Sequence, residues 1–92
     1  MKTIKQHFEE KFGEFPKVSP DLTSFIKETI EESPKDELDK DFYGGFLFGC
    51  YEKGFVHALA YAVLFEDNGV PTETLKKALL IAEGIYNAST TI

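Results

Sequence analysis

Ninety-two residues make one domain of 10.4 kDa, and nine Phe with four Tyr supply enough apolar surface to offset the entropy of ordering, which excludes disorder along most of the chain. The net charge is −6 with ten Lys and no Arg, so the planar fork that reads guanine and grips phosphate is missing and the phosphate backbone is repelled. A single Cys excludes an internal disulfide.

The bases are not segregated. Residues 1–41 carry seven Lys against eleven acids, and residues 42–92 carry three against five. An acidic surface of this kind faces solvent or a basic protein partner more naturally than nucleic acid. A domain of this length buries about 60–65% of its unfolded surface, so self-association would add to a thin stability margin.

In chain order, Thr3 and Gln6 form a capping box, and Ile4, Phe8 and Phe12 recur every four residues. Gly13 and Pro16 stop this helix, which is predicted over 4–12. The opening MKTIKQHFEEKF has no apolar run of the length a secretory leader needs, so the expected location is cytoplasmic.

Ser19 followed by Pro20 is an N-cap with Pro at the first helical position, and Asp21 suits the helix dipole. A helix is predicted over 20–32, with Leu22, Phe25, Ile26, Thr29 and Ile30 inward and Lys27, Glu28, Glu31 and Glu32 outward.

Ser33-Pro34-Lys35-Asp36 repeats the start signal. From 42 to 66 apolar residues surround the helix axis, as in the central helix of a bundle. Gly44, Gly45, Gly49 and Gly54 each cost about 1 kcal/mol relative to Ala in a helix interior. The segment therefore reads either as one kinked helix or as a short acidic helix and a longer buried one broken near Gly44-Gly45. Glu52 and Lys53 at its middle argue against a membrane span.

Asp67-Asn68-Gly69-Val70-Pro71 is a stop signal. Thr72 is the expected cap of a last helix, with Leu75, Ala78, Leu79, Ala82, Ile85 and Tyr86 inward and fraying from Ala88. No useful alternation of period two occurs. The expected fold is all-α, a single domain over 1–92 with four to five helices around the apolar segment 42–66.

Three groups of residues carry functional expectations. Glu28, Glu31, Glu32, Asp36 and Asp39 concentrate acid over a short stretch and would meet a basic partner surface. Gly45 and Gly49, continued by Val56, Ala60 and Val63 and interrupted by Glu52, form a mostly small stripe that lets helix backbones approach, either inside one subunit or, as the small size of the domain favours, at a homo-oligomer interface. Tyr43, Tyr51, His57 and Tyr61 could line a site for a small ligand.

Other motifs fall short of their chemistry. His7 and Glu10 are four-ligand metal chemistry with two ligands. Cys50 and His57 are about 10 Å apart along a helix, too far for a nucleophile–base pair. Asp39 to Gly44 starts like a calcium loop, but position twelve is Cys50. Leu64 to Leu79 has a helix-turn-helix outline with only Lys76 and Lys77 to read a groove.

No catalytic constellation, cofactor motif or metal site is expected. The sequence reads as a non-enzymatic acidic interaction protein, such as a small inhibitor or adaptor on a partner's basic surface. A helix-turn-helix regulator over 64–79 and a ligand-binding helical protein using the 42–61 aromatics are the alternatives.

Overall fold

The computed structural model describes residues 2–35 and 39–90, and it is an all-α bundle of five helices. They are α1 (Ile4–Phe12), α2 (Pro20–Glu32), α3 (Asp39–Tyr51), α4 (Phe55–Asp67) and α5 (Thr72–Thr90). No helix among the described residues is long and apolar enough to cross a membrane.

Local chemistry sets the first two helices. The Thr3 hydroxyl accepts from the Gln6 N–H at 3.1 Å, and the Gln6 side chain accepts from the Thr3 N–H at 2.9 Å. Gly13 ends α1 at φ +88, in a region that L side chains rarely adopt. The Ser19 hydroxyl caps α2 through the Leu22 N–H. Ser33, expected to open the next helix, instead closes α2: its N–H and its hydroxyl both donate to the Ile30 carbonyl. That carbonyl is one of those a helix C-terminus leaves without an intrahelical partner.

The apolar stretch 42–66 is two helices, and the break lies at Gly54 rather than at Gly44-Gly45. The charged pair explains the position. Glu52 and Lys53 are exposed, and Gly54 takes φ +125, a conformation open to glycine alone among ordinary residues. Gly44 and Gly45 stay inside α3, where packing overrides their low propensity.

The second of these two helices is the centre of the fold. α4 packs against all four others and buries Ala58, Leu59, Ala62, Val63, Leu64 and Phe65. α3 lies along α5 in the most extensive helix pairing of the chain. They approach closely at Gly44, where an added Cβ would stand 2.7 Å from Ile81 Cγ2 and 3.0 Å from Ile81 Cβ.

Three expected inward residues face out. Phe12 and Phe25 are exposed, and Ile85 is 41% exposed. α5 meets Gly44 of α3 through Ala78 and Ile81, and Ala78 and Ala82 are fully buried, so the buried stripe is turned away from Ile85.

An apolar cleft between α1, α4 and α5

Thr72 does not cap its own helix. Its hydroxyl donates to Glu66 Oε2 at 2.7 Å, while the Pro71 carbonyl accepts the Leu75 N–H at the start of α5. The same Glu66 carboxylate accepts from the Ile4 N–H at 2.9 Å and the Lys5 N–H at 3.2 Å. These are first-turn donors of α1, which have no partner inside their own helix. A carboxylate there also meets the positive end of the helix dipole. Glu66 therefore ties the end of α4 to the starts of α1 and α5.

At the other end of α4, Lys11 Nζ lies 5.6 Å from the centre of the Phe55 ring. There too Tyr51 stacks on Tyr86, with ring centres 4.8 Å apart. With Ile4 at one end of α4 and Lys11 at the other, α1 runs antiparallel to it, as α5 does through the turn at Gly69.

Between the three helices is a cleft of about 560 Å³. Its walls are apolar: Ile4, Tyr51, Phe55, Leu59, Leu79 and Leu80. Its polar residues are Lys2, Thr3, His7, Lys76 and Glu83. Phe55 is left 39% exposed and Leu80 68% exposed at this cleft. The volume and the apolar lining with few polar groups are those of a small-molecule site.

Of the four aromatic residues expected to contact a ligand, Tyr51 alone lines this cleft. Tyr43 is fully buried in the core, its ring 4.9 Å from Phe65. Its burial pushes the phenol pKa above the usual 10.0; Asp39 adds to this, and a hydrogen bond with Ser33 opposes it. His57 and Tyr61 pack as tilted rings with centres 5.0 Å apart, and Tyr61 packs in the same way against Phe46.

The small-residue stripe is divided by the turn at Gly54. Gly45 and Gly49 are exposed and a Cβ on either would meet nothing within 4 Å, while Val56 is exposed and Ala60 half-buried. Val63 is fully buried inside the chain's own core and so is not available to a second copy. Within the chain the glycine of α3 that another helix approaches closely is the neighbouring Gly44.

The acids fare differently. Glu28, Glu31 and Glu32 are exposed on α2. Asp39 is half-buried at the start of α3, its Oδ1 without a hydrogen-bond partner among the described residues, and Asp36 lies outside those residues. Glu31 and Glu32 occupy the last turn of α2, where no base accompanies them and the dipole disfavours acids. Lys35 Nζ partly offsets this by donating to the Ile30 carbonyl.

Cys50 is buried, and burial pushes its thiol pKa up, away from the thiolate that a nucleophile needs. No group of three or more His, Cys, Asp or Glu is gathered among the described residues in a way that could hold a metal ion. Lys76 lines the cleft, which separates its role from that of the exposed Lys77 beside it.

Sequence reasoning missed the cleft because its walls come from three distant segments. The available signal was the run Leu79-Leu80-Ile81, which puts apolar residues on more than one face of α5. The chain has no significant match among known protein families, curated proteins or solved structures.

Proposed function

We propose that this chain is a non-enzymatic binding protein whose site is the cleft between α1, α4 and α5. The observation that carries the reading is the apolar cavity itself, with Phe55 and Leu80 exposed at it. Apolar residues held open to water beside a concave surface mark a binding site more often than chance exposure does.

A neutral solvatochromic dye such as Nile red tests this. The expected result is saturable binding at one dye per chain. Leu80→Glu should weaken it about tenfold or more by placing a charge in the apolar wall, and should leave helicity unchanged because Leu80 is exposed. Absence of saturable binding, or binding indifferent to Leu80→Glu, overturns the reading.

A second reading is supported by α2. Glu31 and Glu32 sit where they destabilise their own helix, so their benefit is not local. Together with Glu28 they would meet a protein partner of basic surface, such as a protein that this chain inhibits or adapts. Once a partner is in hand, reversing Glu28, Glu31 and Glu32 to Lys should slow association and flatten its salt dependence. Unchanged association kinetics reject it.

A further inference from the structure

We propose that the cleft binds a straight-chain carboxylate, with the carboxylate against Lys76 and the alkyl chain running along the helices toward Tyr51. This rests on the binding role proposed above for the cleft and names the class of molecule that fills it.

The chain as a whole carries −6, yet the cleft lining holds Lys2 and Lys76 against Glu83 alone. These charges are arranged along the cleft. Glu66 joins the start of α1 to the start of α5, so Lys2 and Thr3 stand at the same end as Lys76. Glu83 is seven residues further along α5, about 10 Å away along the axis. The cleft therefore offers the Lys76 ammonium at one end, is apolar through Leu59 and Leu79, and has the Glu83 carboxylate at the other.

The two lysines are not equivalent. Lys2 Nζ is 2.7 Å from Glu10 and already paired. Lys76 is half-buried and makes no ion pair among the described residues. Glu66 is at the same end, but its carboxylate is occupied by two backbone N–H groups and the Thr72 hydroxyl. An anion that brings its own apolar chain would satisfy both features: the chain covers the exposed Leu80 and Phe55, and the head pairs with Lys76.

Calorimetric titration of the full chain with octanoate, decanoate and dodecanoate, below their micelle concentrations, tests this against the matching alcohols. The expected outcome is one site per chain, with affinity rising about fourfold per CH₂, or about fifteenfold for each two-carbon step. Each carboxylate should bind about tenfold tighter than its alcohol. Lys76→Glu should abolish that preference by lowering carboxylate affinity far more than alcohol affinity; Lys76→Gln, which keeps much of the length of the side chain, should do so to a smaller degree.

If alcohol and acid bind alike, or Lys76→Glu changes nothing, the carboxylate assignment is overturned while the apolar cleft still stands. If neither binds and Nile red also fails, the binding role itself falls. Phosphatidylglycerol vesicles form a separate arm: capture by vesicles without binding of monomeric dodecanoate would overturn a free carboxylate in favour of a membrane surface.

Discussion

The two flanks of α5 are built in opposite ways. Toward α3 it presents Ala78 and Ile81, and Gly44 lets the backbones come so close that no Cβ fits without displacing Ile81. Toward α1 and α4 it presents Leu79 and Leu80, and the large side chains of Tyr51 and Phe55 stand opposite. Small residues let helices close on each other, whereas large residues on both sides keep them apart and leave a cavity. One flank is thus spent on stability, and the other leaves surface for a ligand.

The closed flank is the more sensitive. Gly44→Leu should destabilise the chain by about 3 kcal/mol or more, because the side chain has nowhere to go beside Ile81. Urea denaturation measures this. Gly44→Ala should cost less, and combining it with Ile81→Ala should recover part of the loss, a coupling that a double-mutant cycle reads directly. Additive effects would mean that the contact at Gly44 is not what closes this flank.

On the open flank the decisive residue is Glu66, which holds one wall of the cleft in place. Glu66→Ala should cost about 2 kcal/mol by leaving two N–H groups and a hydroxyl without their charged acceptor. It should weaken Nile red binding as well, although Glu66 does not line the cleft. A loss of stability with full dye binding would show that the wall stands without it.

The other α3 glycines sharpen the contrast in the opposite direction. Gly45→Ala and Gly49→Ala should each stabilise by about 1 kcal/mol, since nothing lies within 4 Å of the new Cβ and the helix gains propensity. Within one chain the Cβ of a Gly49→Leu side chain meets nothing within 4 Å. If sedimentation shows that wild type self-associates and Gly49→Leu does not, the obstacle belongs to a second copy.

The smallest effect is alkaline. Cys50 and Tyr43 have folded pKa values raised by burial above their ordinary 9.0 and 10.0. The folded state then holds its protons more tightly than the unfolded state. Their stabilisation is fully present below the ordinary values and is lost as pH rises through the raised ones. Stability measured from pH 8 to 11 should fall from about pH 9 onward, and Cys50→Ala should remove the earlier part of the fall.

Much of the fold was legible because its signals are local. The Thr3 box, the Ser19-Pro20 cap and the Asn68-Gly69 stop place α1, α2 and the turn before α5 where periodicity predicts them. The division of the apolar stretch was also written locally, in Glu52-Lys53-Gly54, but four glycines competed for the role of breaker. Propensity alone could not choose between a glycine that must adopt positive φ and one that must let another helix approach.

That choice belongs to the tertiary structure, as does the cleft. Sequence by itself determined an all-α chain, the starts of α1 and α2 and the acidic outer face of α2, because capping, period and charge act within a few residues. Only the packed bundle decided that Gly44 rather than Gly45 or Gly49 meets α5, that Tyr43 and Val63 lie in the core, and that Glu66 joins three helices. Those outcomes depend on which faces meet across sixty residues of chain, and no local pattern encodes the distance between two helix axes.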